Sequence, residues 1–123
     1  MPTVGTMLGH EDILESKQED IRDQIRTYSG AKADRVYLDE FRKVKKALLM
    51  KRAQANGVDA VAAQEREAYA DPEYQTLLQG LKEATENEAA AYWHLKLYEW
   101  DFERWRSKEA TRRQEIQRYG IDV

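Results

Sequence analysis

One repeat of apolar positions runs through the second half of the chain without interruption. A helix advances by about 100° per residue, so positions that alternate in steps of four and three residues share one side of it. A stripe of this length needs a second long helix to cover it. Thirteen positions keep the alternation over about six heptads: Leu77, Leu81, Ala84, Glu88, Ala91, Leu95, Tyr98, Phe102, Trp105, Glu109, Arg112, Ile116 and Tyr119.

The first half of the chain carries a similar pattern with one slip. Helical periodicity begins near Glu11 and is interrupted at Ser29-Gly30. Nine residues then separate Tyr28 from the next stripe residue, where a continuous heptad would place seven. We predict one long helix over about residues 11–56, kinked near 29–33 and capped by Asn56-Gly57. Its resumed stripe is Tyr37, Phe41, Val44, Leu48 and Ala55.

Local signals between the long segments predict a short helix over about residues 59–69, with Asp59 as its N-cap. Asp71-Pro72-Glu73 then has the cap, first-turn proline and first-turn acid that begin a helix, and Gly120 closes that helix after residue 119. The predicted fold is all-α, an elongated antiparallel hairpin of two long helices joined by a short one with coiled-coil-like packing. We expect a flexible arm at residues 1–10 and a single domain at 11–123.

The segment YWHLKLYEWDFERW, residues 92–105, contains six of the chain's twelve Tyr, Trp and Phe residues. Its stripe residues belong to the hairpin, whereas Trp93, Leu97 and Trp100 lie on the opposite side of the helix. An exposed apolar patch usually marks an interface. We therefore predict a homo-oligomer that assembles through Trp93, Leu97 and Trp100. The alternative is cover from within the chain, by a first helix that bends round or by the short helix.

The composition offers little for catalysis. Cysteine is absent, so thiolate chemistry is excluded. No apolar run is long enough to span a bilayer and no signal peptide begins the chain, which predicts a cytoplasmic protein. His10 and His94 are the only histidines; we expect His10 to lie on the surface, and no metal-binding residue stands one turn from His94. We predict no catalytic residue, metal or cofactor.

Basic residues are concentrated in two segments. The first contains six cations with no acid among them, and residues 65–103 between the segments contain ten acids and three bases. Such segments bind phosphates, but they also complement helix dipoles or face an acidic partner surface, and both interpretations stand at this point. The candidate nucleic-acid-binding residues are Arg42, Lys43, Lys45, Lys46, Lys51 and Arg52 in the first segment and Arg104, Lys108, Arg112 and Arg113 in the second.

A family resemblance rests on three stretches: FRKVKKALLMKRA in the first helix, AYADPEYQTLLQGLKEA after the short linker, and WRSKEATRRQ after the aromatic segment. Across about residues 11–119 the chain resembles the UvsY-like recombination mediators of T-even phages. The resemblance implies a ring-like homo-oligomer that binds single-stranded DNA and helps load a recombinase onto strands coated with single-strand-binding protein. It also implies that the first basic segment contacts DNA. Ala53, Gln54 and Ala55 stand where the family's motif ends in tyrosines.

Two other classes of function compete with this expectation. One is a phage-encoded helical interaction module, an adaptor or an inhibitor of a host protein, that binds no nucleic acid. The other is a structural scaffold for virion assembly.

Overall fold

A computed structural model describes residues 9–120, and helix accounts for 93% of them. The helices are α1 (His10–Ala55), α2 (Val61–Ala70) and α3 (Pro72–Tyr119). The two long helices pack against each other with the short one between them, and no strand occurs in residues 9–120. The predicted all-α helical hairpin is therefore confirmed. Of the predicted arm at residues 1–10, residues 1–8 lie outside the described part of the chain.

The helix α1 continues without a break through Ser29 and Gly30. The kink near residues 29–33 stays a prediction, because an unbroken helix can still bend. At its C-terminus, Gly57 adopts a φ of 95°. The amide of Gly57 donates to the carbonyl of Gln54 at 3.1 Å, and the amide of Val58 donates to that of Ala53 at 3.0 Å. These two bonds form a Schellman motif, which confirms the predicted cap.

The start of α3 follows the sequence signal, whereas the start of α2 does not. A carboxylate oxygen of Asp71 accepts a hydrogen bond from the amide of Glu73 at 2.8 Å, as an N-cap should. The predicted N-cap Asp59 is wrong, since α2 begins at Val61 and its capping residue, Ala60, makes no side-chain cap bond. Buried Gln64 instead donates to the carbonyl of Val58 at 2.8 Å, which satisfies a backbone acceptor at this end.

The described part of the chain divides into two compact units, one made of residues 9–27 and 92–120 and the other of residues 28–91. The core of the second unit is formed by Leu49, which is 3% exposed, together with Ala68 and Tyr74. Met50 and Leu78 pack against this core.

The predicted apolar stripe of α1 is wrong in this unit. Tyr37 is 66% exposed and Leu48 53%, and Val44 is exposed as well. The inward side of α1 instead carries Leu49 and Ala53 with the partly buried stems of basic residues. Long basic side chains can cover apolar surface while their charged ends reach acids, which allows such positions to face inward. The partly buried basic residues are Arg35, Arg42, Lys45 and Lys46.

In the first unit, Leu95 is buried, and Phe102 and Trp105 are partly buried beside the beginning of α1. His10 lies at the surface, with 33% of its side chain exposed, and it also packs within this unit. Its ring stacks on Trp105 with centroids 5.1 Å apart, and its Nδ1 lies 3.2 Å from a carboxylate oxygen of Glu109. A histidine at the first position of α1 therefore extends the packing of this unit.

The predicted stripe of α3 is confirmed over most of its length. Ala84, Ala91 and Leu95 are buried, and most other members are partly buried. Tyr98 and Tyr119 are exposed exceptions, and so is Arg112. An uninterrupted four-three repeat therefore identified the inward side of this helix, whereas the interrupted repeat of α1 did not.

We expect Gly30→Ala to raise the free energy of unfolding by about 0.5–1 kcal/mol, because glycine weakens a helix interior. A Cβ at this position meets nothing within 4 Å. Urea unfolding followed by circular dichroism measures the change. As the matched control, Gly57→Ala should lower stability by about 1–2 kcal/mol, since alanine is strained at its positive φ. A loss of stability in Gly30→Ala would contradict this description of α1.

Candidate nucleic-acid and assembly surfaces

The first basic segment lies beside acids of the same chain. Lys45 donates to Glu73 at 3.1 Å, and Arg52 pairs with the same carboxylate. The hydrogen bond from Arg52, followed by that from Lys45, holds the pKa of Glu73 below its usual range. The same contact raises the pKa of Arg52. Glu73 in the first turn of α3 therefore joins the end of α1 to the beginning of α3.

The other cations of this segment are also paired, with one exception. Lys46 donates to Glu65 of α2 at 2.7 Å and lies 4.8 Å from the ring centroid of Tyr69. The hydrogen bond to Glu65 raises the pKa of Lys46. Arg42 pairs with Asp39, and Lys43 with Glu40. Among residues 9–120, Lys51 is the member of this segment without an ion pair, so most of the segment's charge is already compensated.

The second basic segment is more open. Arg104, Lys108 and Arg113 are exposed and form no ion pair within the described residues. Arg112 contacts Glu109 at 3.1 Å, and the hydrogen bond from Arg112 followed by that from His10 lowers the pKa of Glu109. The candidate nucleic-acid-binding residues whose charge is not compensated therefore lie mainly in the second basic segment, near the C-terminus of α3.

The three residues predicted to form an oligomer interface are each 56% exposed: Trp93, Leu97 and Trp100. The rings of Trp93 and Trp100 lie 6.3 Å apart at an angle of 47°, and Tyr92 meets Trp93 edge-on. The alternative of cover from within the chain is not found in residues 9–120. These side chains therefore form an apolar surface that a partner can cover.

Arg104 and Lys108 continue this surface along the same side of α3, because they follow Trp100 at steps of four residues. We call residues Trp93, Leu97, Trp100, Arg104 and Lys108 the aromatic–basic face. Exposed rings can stack on nucleobases, and neighbouring cations can pair with phosphates. The apolar part can equally bind a protein surface. Arg113 does not belong to this face, since it lies on the opposite side of α3.

A second exposed surface was missed because its residues were assigned to the core. We call Tyr37, Val44 and Leu48 the α1 stripe; all three are exposed, and the ring of Tyr37 stacks on that of Phe41 with centroids 5.9 Å apart. The sequence did contain a signal for the correct side. Basic residues at helical spacing from position 35 to 46 match acids at positions 65, 73 and 88, and these form the ion pairs that face inward.

No cluster of three His, Asp or Glu residues suited to a metal occurs among residues 9–120. Within the same range, no helix is long and apolar enough to cross a membrane. The candidate surfaces are thus defined by exposed rings, aliphatic side chains and cations.

Comparisons with protein-family models, with curated proteins and with solved structures found no match to the chain.

We expect Glu73→Gln to be less stable than the unchanged protein at pH 7. A lowered carboxylate pKa contributes stability that is complete above the ordinary pKa and is lost as pH falls through the folded-state value. The difference between the two proteins should therefore shrink from about pH 5 downward. Urea midpoints measured between neutral and acidic pH give this profile.

Glu83→Gln is the matched control, because Glu83 is exposed on the same helix without an ion pair in the described residues. Its urea midpoints should follow those of the unchanged protein. A pH-independent loss of stability in Glu73→Gln would contradict a role for its charge.

Proposed function

We propose that this protein is a homo-oligomeric single-stranded-DNA-binding protein of the recombination-mediator type, which helps load a recombinase or an annealing protein. The observation that supports the proposal is the aromatic–basic face, where uncompensated Arg104 and Lys108 adjoin exposed Trp100. Clustered cations bind the phosphates of a single strand without reading its sequence, and assembly through the adjoining apolar residues brings the cations of several copies together. A recombinase and single-strand-binding protein are the further partners that belong to this proposal.

An oligomer raises the overall affinity of such contacts for one strand. One copy offers few uncompensated cations, and each phosphate contact is weak at physiological salt. Copies joined by apolar contacts present several cationic sites to one strand, so that later contacts form within the same complex. Trp93 and Leu97 serve assembly in this proposal, and the cations beyond them meet the strand.

The ion pairs favour the second basic segment as the strand contact. Using Lys45, Lys46 or Arg52 for phosphates would release Glu73 or Glu65 from an existing partner. Lys108 and Arg113 have no such cost within residues 9–120. We therefore assign the main strand contact to Arg104 and Lys108 of the aromatic–basic face, with Arg113 on the opposite side of α3 and Lys51 in the first segment as further available cations.

A protein-interaction module is the second candidate, an adaptor or an inhibitor that binds no nucleic acid. The compensated charges of the first basic segment favour it, because they leave that segment with little net attraction for phosphates. In this case the apolar part of the aromatic–basic face binds a different protein, and Arg104 and Lys108 steer an acidic partner toward it.

We expect Lys108→Glu to weaken binding of a labelled single-stranded oligonucleotide. The slope of log affinity against log salt should become shallower by about 0.7 for each phosphate that the variant no longer neutralises. Fluorescence anisotropy at about 50 and about 200 mM salt measures both quantities. Lys82→Glu is the matched control, an exposed lysine of α3 that lies 18 residues before Trp100, and should have a smaller effect.

Absence of strand binding by the unchanged protein at the lower salt would contradict the mediator proposal and favour the interaction module. Equal effects of Lys108→Glu and Lys82→Glu would remove Lys108 from the strand-binding surface.

A further inference from the structure

Two apolar surfaces lie exposed on the long helices, the α1 stripe and the Trp93–Leu97–Trp100 part of the aromatic–basic face. Each lies on the outside of its helix without cover in residues 9–120.

We propose that these two surfaces cover each other between copies, so that the α1 stripe of one copy packs against Trp93, Leu97 and Trp100 of a second copy. The inference rests on the homo-oligomer of the proposed function and names the surface that occupies its interface. The contact is heterologous, because each copy contributes a different surface to it.

The spacing of the two surfaces matches. Tyr37 and Val44 are seven residues apart, and so are Trp93 and Trp100. Side chains seven residues apart on a helix project in nearly the same direction, two turns from each other. In an antiparallel pairing, Val44 faces Trp93 while Tyr37 faces Trp100. Leu97 then lies between the two layers, as a knob does in the packing of paired helices.

Charges beside the two surfaces distinguish this pairing from self-pairing. Glu40 flanks the α1 stripe and Lys96 flanks the tryptophans, and the antiparallel alignment brings them together on one side. Each now makes only a partly or fully exposed pair within its own helix, with Lys43 and Glu99 respectively. Exposed pairs of this kind contribute little stability and are easily exchanged.

Self-pairing would bring like charges together instead. If the α1 stripe packed against its own copy with Tyr37 facing Val44, Glu40 would lie beside Glu40 of the second copy. If the tryptophan surface packed against itself with Trp93 facing Trp100, Lys96 would lie beside its own counterpart. Like charges in direct opposition disfavour an interface, so charge selects the mixed pairing.

A complementation experiment tests the pairing. Val44→Glu places a charge in the α1 stripe and leaves the tryptophan surface intact, whereas Leu97→Glu does the reverse. We expect each variant alone to sediment as a monomer at micromolar concentration. An equimolar mixture should form a dimer and grow no further, because only one compatible contact remains. Val61→Glu, a matched change at an exposed residue of α2, should leave assembly unchanged.

Any other outcome contradicts the pairing, the proposed homo-oligomer or the mediator proposal. Assembly of either single variant as in the unchanged protein overturns the inference, and so does a mixture that stays monomeric. If the unchanged protein is itself a monomer, the homo-oligomer of the proposed function fails too. Failure of strand binding by an intact oligomer would overturn the mediator proposal and leave this pairing standing.

A charge exchange tests the same pairing even if Val44→Glu or Leu97→Glu impairs folding. Glu40→Lys and Lys96→Glu should each raise the concentration needed for assembly, and the double variant should restore it toward that of the unchanged protein. Circular dichroism verifies that helix content is kept. Additive weakening in the double variant would overturn the proposed opposition of these residues.

Discussion

Two helices packed side by side bury one stripe each, and this limit on burial governs the rest of the structure. The buried apolar residues within 9–120 are three large ones, Leu49, Tyr74 and Leu95, and four alanines. No large side chain in that range is fully buried. Burial of a large apolar side chain stabilises a fold by about 1.5–3 kcal/mol, so this core contributes little for its length. The exposed rings and aliphatic side chains find no cover within residues 9–120, so a partner molecule can remove this surface from water.

Ion pairs supply part of the specificity that apolar contacts give in larger domains. Arg35 pairs with Glu88, Lys46 with Glu65, and Arg52 with Glu73, and each pair joins α1 to another helix. Partly exposed pairs are individually weak. They lie on the side of α1 that also buries Leu49 and Ala53, so ion pairs and apolar contacts favour the same orientation. The first basic segment is consequently engaged in the fold, and the uncompensated cations are concentrated on α3.

The sequence was informative where one signal acted alone. The unbroken repeat of α3 identified its buried side, and Asp71 and Gly57 marked helix ends because their side-chain and backbone preferences have few alternatives. It was misleading on α1, where the regular apolar positions Tyr37, Val44 and Leu48 are exposed and basic residues are partly buried. Periodicity measures apolarity within one helix, whereas the inward side of α1 also meets acids on other helices, which a pattern within α1 does not contain.

The candidate surfaces were predictable to a similar degree. The surplus of Trp93, Leu97 and Trp100 followed from the sequence, since the opposite side of that helix was already assigned to the seam. The distribution of free and compensated cations did not follow from the sequence, because the pairing of Lys45 with Glu73 depends on how segments that are distant in the sequence pack together. The α1 stripe as a second surface emerged only from its exposure, and it is the partner that we propose for the tryptophans.

The central claim is that this fold completes its burial by assembly. Unfolding coupled to dissociation depends on protein concentration, because partners that bind the folded state stabilise it by mass action. The most direct measurement is the urea midpoint over about a hundredfold range of protein concentration. The account predicts a midpoint that rises steadily with concentration, together with a blue shift of tryptophan emission as Trp93 and Trp100 become covered. A midpoint and emission spectrum that stay constant over that range would contradict it.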